Sequence, residues 1–243
     1  MWRNASCVIV IQQRFLLLES KGYGPSMIDL NAVEKEGYEI KPYSNNEIYV
    51  IRNFLSGDLC EEVVRLSHEK MKTLSHRKEE DGFFYSLDVL PSRVETDRIF
   101  RSIQFTHFDN EFAGTPIENL YKEMMSFQSK FVTDEKRIAS AIRRIQIIHY
   151  PRGGGFFDWH QHPRYPVNYG LILNLSKKGR NFDVGATEIV SSGNQVMKVE
   201  SYSDIGDLIL FQYDLKHRVA PCNPEDDLCF DTNGRWTAIL PIY

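Results

Sequence analysis

Residues 142–163 read IRRIQIIHYPRGGGFFDWHQHP, and this stretch decides the fold class because the spacing of its apolar residues changes. Upstream, apolar residues recur at steps of three and four, as in helices, whereas from about Ile142 they alternate. Strict alternation is the pattern of a strand with two different faces. It places Gln146 and Tyr150 on one face of the first strand and His149 on the other.

More short strands follow this stretch, separated by Pro, Gly, Asn and Asp residues. Their sequences are VNYGLILNLS (167–176), ATEIVSS (186–192), QVMKVES (195–201), DLILFQY (207–213) and RWTAILPIY (235–243). Many short strands at near-regular spacing are typical of an antiparallel sandwich or a jelly-roll barrel. Residues 142–243 are therefore predicted to form a β core.

Two helices are predicted upstream of the strands. In EIYVIRNFLSGDLCEEVVRLSHEKMK (47–72) a short strand precedes a helix that has Ser56 as its N-cap. The second helix begins at Thr115-Pro116-Ile117-Glu118, a capping box with proline at the first helical position. Its apolar residues predict a helix that packs on a sheet: Ile117, Leu120, Met124, Phe127 and Phe131.

The domain organisation follows from these elements. Residues 1–45 are expected to be an extension of short strands and turns, punctuated by glycine and proline. Residues 46–141 form a helical support region, in which 79–114 is a possible lid because long connections tend to carry recognition. The 243 residues suit one compact domain with such elaborations.

Composition argues against a disordered protein, a membrane protein and a nucleic-acid-binding protein. Hydrophobic residues make up 42% of the chain and charged residues 26%, which are ordinary globular proportions. The net charge of −4 gives no global attraction to phosphate backbones, so no nucleic-acid partner is expected.

The cysteines and the N-terminus indicate a cytoplasmic protein. Cys7, Cys60, Cys222 and Cys229 lack the spacing of a disulfide framework or zinc cluster, so free thiols are expected, although Cys222 and Cys229 could be joined or bind a ligand. Apolar runs within the first 20 residues are interrupted by Gln-Gln-Arg at positions 12–14. That break is too polar for a signal peptide or a membrane-spanning helix, so no membrane contact is expected.

Three histidines of the β core suggest a metal site. His160 and His162 are two residues apart, a spacing that puts both imidazoles on one face of an extended segment. Fe(II) and Zn(II) both accept imidazole ligands, and His217, which follows His160 by 57 residues, is the candidate third ligand. The His-x-His pair alone is equally compatible with hydrogen-bonded core histidines.

The order of these residues, with Arg235 opening the last strand, resembles the Fe(II)/2-oxoglutarate-dependent oxygenase superfamily. That family has a His-x-Asp or His-x-Glu pair, a distal His, and a later Arg or Lys. YPRGGG (150–155), GDLILF (206–211) and GRWTAILPIY (234–243) agree with it, and VIRNFLSGDLCEEVV (50–64) looks like the lead-in of prolyl-hydroxylase-like members.

The resemblance implies an α+β fold: a double-stranded β-helix, which is a jelly-roll or cupin-like barrel, with N-terminal helices packed on its sheet. It also implies an iron-dependent dioxygenase that uses O2 and 2-oxoglutarate as co-substrates. Hydroxylation of an unactivated C–H bond in an amino acid, a peptide or a polar small metabolite is the expected reaction. No catalytic side chain beyond the metal ligands is expected.

One position departs from the family, because His162 stands where the carboxylate ligand is expected. Three neutral imidazoles leave an Fe(II) ion with its full charge of +2, whereas a carboxylate offsets part of it. Alternatively, a neighbouring carboxylate is the third ligand and His162 lies outside the ligand set; the alternatives are Asp158, Asp183 and Glu188.

The resemblance makes Arg235 the anchor of the distal carboxylate of 2-oxoglutarate, since a guanidinium binds a carboxylate through paired hydrogen bonds. Further candidate contacts with the co-substrate are Tyr150, Tyr169, Asn174 and Gln146. Two alternatives stay open. One is a three-histidine iron dioxygenase that binds its substrate directly, and the other is a non-catalytic barrel that acts as a binding or sensor protein.

Overall fold

The computed structural model describes residues 28–74, 98–105, 112–132, 145–163 and 168–241. The helices are α1 (Leu30–Lys35), α2 (Gly57–Leu74) and α3 (Pro116–Phe127), which continues into a π-helical turn (Gln128–Val132). The strands are β1 (Glu39–Tyr43), β2 (Ile48–Arg52), β3 (Arg98–Ile99), β4 (Arg101–Phe105), β5 (Ile145–Tyr150), β6 (Gly155–His160), β7 (Tyr169–Asn174), β8 (Thr187–Val190), β9 (Val196–Lys198), β10 (Leu208–Gln212), β11 (His217–Cys222) and β12 (Arg235–Ile239).

These strands form two antiparallel sheets. The major sheet has seven strands in the order β1-β2-β10-β7-β12-β5-β4, and the minor sheet has five in the order β3-β6-β11-β8-β9. Every strand pair in both sheets is antiparallel. The prediction of a mixed protein whose C-terminal part is antiparallel β structure is confirmed at this level.

The major sheet is buried on both faces, and residue alternation assigns each side chain to one of them. Leu208 and Leu210 of β10 join the core that contains Val63 of α2 and Leu120 of α3. The intervening Ile209 and Phe211 pack against residues of the minor sheet. Burial of each such side chain contributes about 1.5–3 kcal/mol. The minor sheet therefore covers the face of the major sheet that the helices leave open.

Both predicted helix starts are present, with one difference in capping. The hydroxyl of Ser56 accepts a hydrogen bond from the Leu59 amide at 3.4 Å, as expected of an N-cap. Thr115 instead donates its hydroxyl to the Phe112 carbonyl at 2.6 Å, and Glu118 accepts from the Gly114 amide at 2.7 Å. The carboxylate of the capping box thus acts one residue earlier than the sequence suggests.

The apolar stripe of α3 is confirmed as core: Ile117, Leu120, Met124 and Phe127 are at most 1% exposed, and Phe131 packs beside them. No helix in the described ranges combines the length and the apolar character needed to cross a bilayer.

The N-terminal half contributes more regular structure than expected. A helix, α1, occupies part of the region predicted as strands and turns. Asp29 caps this helix by accepting from the Ala32 amide at 3.1 Å, and its residue Val33 is fully buried. Strands β3 and β4 fall inside the possible lid and pair with β6 and β5. The rest of that lid, residues 79–97 and 106–111, and residues 1–27 of the extension lie outside the described residues.

The cysteines Cys60, Cys222 and Cys229 are free thiols, as predicted, while Cys7 lies outside the described residues. Burial raises the pKa of Cys60 to about 12 and that of Cys222 to about 11. Both thiols therefore stay protonated and unreactive near neutral pH.

Candidate metal centre

Two strands of the minor sheet bring three histidines together. His160 ends β6 and lies directly opposite His217, the first residue of β11. His162 follows two residues after the end of β6, where its amide donates to the Tyr213 carbonyl at 3.3 Å. One ligand nitrogen from each imidazole lies within 4.8 Å of the other two. The three residues that the sequence suggested as metal ligands thus form one cluster.

Backbone carbonyls orient two of these rings. Nδ1 of His160 lies 2.7 Å from the Asp158 carbonyl, and Nδ1 of His217 lies 2.8 Å from the Leu215 carbonyl. Because a carbonyl can only accept, each Nδ1 carries the proton and donates it. The lone pair of each ring is therefore on Nε2, which is the arrangement found in histidines that bind metals.

The electrostatics of the cluster favour neutral rings. Burial, and secondarily the neighbouring His160, lowers the pKa of His217 to about 3. The same two causes lower the pKa of His162. Only the neutral imidazole binds a metal, so these two rings are ready for a cation without first losing a proton at neutral pH.

Aromatic rings enclose the cluster. Phe157 stacks on His160 with centroids 4.0 Å apart, and Tyr213 stacks on His162 at 4.5 Å. Phe211 meets His217 edge-on at 4.7 Å. Each of these rings covers one side of an imidazole and restricts its rotation.

Gly170 on β7 makes room for two of these rings. A Cβ atom there would lie 2.7 Å from the ring of Phe211 and 2.8 Å from that of Tyr213. None of these three residues is among the site residues that the sequence predicts. Two signals could have found them: a glycine inside a strand, and the alternation of Phe211 and Tyr213 just before the distal histidine.

None of the alternative carboxylates belongs to the cluster. Asp158 is exposed and accepts from the Trp159 amide at 2.7 Å, while Glu188 is held by Arg218 at 2.7 Å. Asp183 is exposed. Within the described ranges, the candidate ligands that the structure brings together are therefore three imidazoles.

Arg235 is buried and engaged by other side chains. It lies on β12, and its Nε donates to Oε1 of Glu200 at 2.8 Å while a terminal nitrogen donates to the Thr187 hydroxyl. Glu200 sits in the 3₁₀ turn Val199–Ser201, which follows β9. Its carboxylate also accepts from the Thr187 amide at 2.8 Å and from the Thr187 hydroxyl at 3.3 Å. Neither Glu200 nor Thr187 is predicted from the sequence as a site residue, because neither stands in a motif.

The strand register places Arg235 and the histidines in the space between the two sheets. Thr187 lies opposite Val219, and His217 lies opposite Ile189, so Thr187 and the distal histidine are two positions apart along the β8–β11 pair. Val219 and Ile189 both pack between the sheets, and alternation puts His217 and Thr187 on that same side. Two residues along a strand span about 7 Å.

Of the four residues expected to assist Arg235, one lies beside it. Tyr150 is its cross-strand partner, with the guanidinium carbon 5.5 Å from the ring centroid, and burial raises the pKa of Tyr150 to about 12. Gln146 faces the same side but lies four residues away and donates to the Ser102 hydroxyl at 3.0 Å.

The other two are directed elsewhere. Asn174 donates to the Ser203 hydroxyl at 2.9 Å. Tyr169 packs edge-on against Tyr49 at 5.9 Å in the core beneath the helices. Since adjacent strand residues face opposite sides, Tyr169 does not face the histidine cluster.

No family model and no curated protein matches this sequence. Solved structures do match its fold. A prolyl-4-hydroxylase from Pseudomonas putida superposes with a TM-score of 0.54 at 14% identity, covering 80% of this chain and 91% of that one. A prolyl hydroxylase from Trichoplax adhaerens, solved with a hypoxia-inducible-factor peptide fragment, gives 0.53 at 19% identity, covering 82% and 84%. The chain therefore has the fold of these two prolyl hydroxylases.

Proposed function

We propose that this protein is an Fe(II)- and 2-oxoglutarate-dependent oxygenase with a double-stranded β-helix core. It would hydroxylate an unactivated C–H bond of an amino acid, a peptide or a polar small metabolite. The observation that carries this proposal is the cluster of His160, His162 and His217 inside a prolyl-hydroxylase-like fold. Fold alone does not define an activity, so the chemistry of the cluster is the deciding part.

The cluster fits a divalent transition metal. Three nitrogen donors suit Fe(II), and in two of the imidazoles Nδ1 is hydrogen-bonded to a carbonyl, which leaves Nε2 to bind the ion. When bound, Fe(II) supplies the reactivity towards O2 that oxidation of a C–H bond requires. The role of the three histidines is to hold the ion, and the role of Phe157, Phe211 and Tyr213 is to keep the imidazoles in place.

Arg235 is the residue proposed to face the distal carboxylate of the co-substrate. Its guanidinium lies between the sheets with the imidazoles, and it has donors beyond the two used by Glu200 and Thr187. Tyr150 packs against it and limits its movement.

The contact between Arg235 and Glu200 also favours a second candidate, a three-histidine dioxygenase that binds its organic substrate directly. An arginine already paired with an internal carboxylate has less to offer a second one. In that case the same iron site would act without 2-oxoglutarate. The remaining alternative is a non-catalytic barrel that retains the metal as a structural or sensing element.

Formation of succinate from 2-oxoglutarate separates these functions. The proposed oxygenase binds about one Fe(II) per chain, as expected of one mononuclear site, and releases succinate in an Fe(II)-dependent manner. His217→Ala should abolish both properties, whereas Asp158→Ala should retain both because the Asp158 side chain lies outside the cluster. If the protein binds iron but releases no succinate with any substrate tested, the other candidates are favoured. Unchanged iron stoichiometry in His217→Ala would contradict the metal site itself.

A further inference from the structure

The carboxylate of Glu200 binds Arg235, the residue that the proposed function assigns to the distal carboxylate of 2-oxoglutarate. Its side chain is 4% exposed and that of Arg235 is 2% exposed, so both charges are removed from solvent. Three protein donors satisfy this carboxylate: Nε of Arg235, the Thr187 amide and the Thr187 hydroxyl. Glu200 is therefore held in place by the scaffold and does not depend on a ligand.

The hydrogen bonds of Arg235 are partly used up by this arrangement. A guanidinium has five N–H donors, and the edge formed by Nε and one terminal nitrogen is taken by Glu200 and Thr187. A carboxylate that arrives from the metal side must use the remaining donors. Bidentate binding through the occupied edge is open to it only if Glu200 moves away.

The charges act in the same direction. Beside Arg235, a second carboxylate gains the attraction of the guanidinium but meets the repulsion of Glu200, in a buried region where water screens little. The metal end has the opposite character, because three imidazoles leave the full charge of a divalent ion to be met by the ligand. The attraction for a 2-oxo acid is thus concentrated at the end that binds the metal.

We propose that Glu200 is a specificity-determining residue that competes with the distal carboxylate of 2-oxoglutarate for Arg235. The site then discriminates little between 2-oxoglutarate and 2-oxo acids that lack a second carboxylate. This inference rests on the proposed use of a 2-oxo acid co-substrate at this iron site.

Calorimetric titration of the Fe(II)-loaded protein under argon tests the inference. The two ligands are 2-oxoglutarate and 2-oxobutyrate, which share the 2-oxo acid group and differ in the distal carboxylate. In the wild type, the two Kd values should lie within about threefold of each other, because the charge of Arg235 is already met. Glu200→Gln should lower the Kd of 2-oxoglutarate about tenfold or more, because Arg235 is then free to pair with the distal carboxylate. The Kd of 2-oxobutyrate, which lacks that carboxylate, should stay within about twofold of its wild-type value.

Glu188→Gln is the matched control. It neutralises another buried glutamate, which pairs with Arg218 and which alternation places on the face of β8 opposite to Thr187. We expect no change in the ratio of the two Kd values in this variant. Circular dichroism and Fe(II) stoichiometry show whether each variant is folded, and the wild-type ratio tests the inference without any variant.

Two outcomes would overturn the inference, and they differ in what else they affect. If the wild type binds 2-oxoglutarate more than about threefold more tightly than 2-oxobutyrate, or if Glu200→Gln leaves 2-oxoglutarate binding unchanged or weaker, Glu200 is not a competitor, while the proposed function stands. If Fe(II) binds but neither 2-oxo acid binds to the wild type or to Glu200→Gln, the proposed function and the inference both fail.

Discussion

Nε of Arg235 lies 2.8 Å from Oε1 of Glu200, and both side chains are almost completely buried. Arg235 belongs to the major sheet, whereas Glu200 follows the last strand of the minor sheet and its partner Thr187 begins β8. This ion pair therefore connects the two sheets at the same time as it occupies the expected anchor for the co-substrate. Its two roles make different predictions.

As a connection between the sheets, the pair should matter for stability. Arg235→Met leaves the Glu200 carboxylate buried without its cation, and removal of one partner of a buried pair typically costs about 3–5 kcal/mol. The double variant Arg235→Met/Glu200→Leu removes both charges and should recover most of that loss. Urea denaturation of the metal-free protein measures the free energy of unfolding. An equal free energy of unfolding in the single and the double variant would show that the Arg235–Glu200 pair does not stabilise the contact between the sheets.

His162 decides whether the site has three nitrogen ligands. His162→Ala should raise the Kd for Fe(II) by about tenfold or more, because it removes one of the three imidazoles. A ring nitrogen of His162 lies within 4.8 Å of one in His160 and one in His217. His162→Asp should retain iron, since a carboxylate is an accepted ligand of Fe(II) and offsets part of its charge. Anaerobic titration with Fe(II) provides the measurement. Wild-type affinity in His162→Ala would exclude this residue as a ligand.

Gly170 offers a way to disturb the site without touching a ligand. In Gly170→Ala the new Cβ would be 2.7 Å from the Phe211 ring, which itself packs on His217. Overpacking of this kind costs about 1–3 kcal/mol, and we expect a lower Tm together with weaker Fe(II) binding. Gly193→Ala is the control, because among the described residues a Cβ there would meet only the Ser191 hydroxyl, at 3.8 Å. If Gly170→Ala matches the wild type in both measurements, the aromatic support does not position the histidine.

A buried cluster on the helix side of the major sheet predicts a pH dependence of stability. Nε of Arg101 donates to Nδ1 of His149 at 2.8 Å, so the proton of this imidazole is on Nε2, which donates to the Asn233 carbonyl at 2.7 Å. Burial, and then Arg101, lowers the pKa of His149 well below its ordinary value of 6.5.

The sign follows from the protons bound in each state. Below pH 6.5 the unfolded chain binds a proton at His149 and the folded protein does not, so the free energy of unfolding falls as the pH falls. The loss is about 1.4 kcal/mol per pH unit for one such histidine. Above pH 6.5 both states are neutral and this contribution disappears. Denaturation curves at pH 7, 6 and 5 should show a shallower fall in His149→Gln than in the wild type, and parallel curves would exclude His149 as a source.

Much of the fold could be predicted from the sequence because it depends on local spacing. The alternation in residues 145–150 and 207–213 predicts strands with two different faces, and the structure places those faces between the sheets and beneath the helices. The cap at Ser56 and the apolar stripe of α3 are equally local. The helix α1 was missed because its six residues are too few for a periodic pattern.

The candidate ligands could be named from the sequence for a similar reason. The spacing of His160 and His162 gives them a common side on an extended segment, and the order of His217 and Arg235 carries the family resemblance. The sequence left the third ligand open, because Asp158 is as close to His160 along the chain as His162 is, and Asp183 and Glu188 lie between His160 and His217.

Only the tertiary structure decided which of these groups meet. Register across β6 and β11 puts His160 opposite His217, whereas Asp158 is exposed and Glu188 is paired with Arg218. The partner of Arg235 could not be predicted from the sequence either, because Glu200 lies 35 residues away in a turn without a motif. Glu200 contacts the arginine only because one sheet packs on the other. Side-chain direction along a strand is set by neighbouring peptide units, whereas the residue that stands opposite is set by the whole chain.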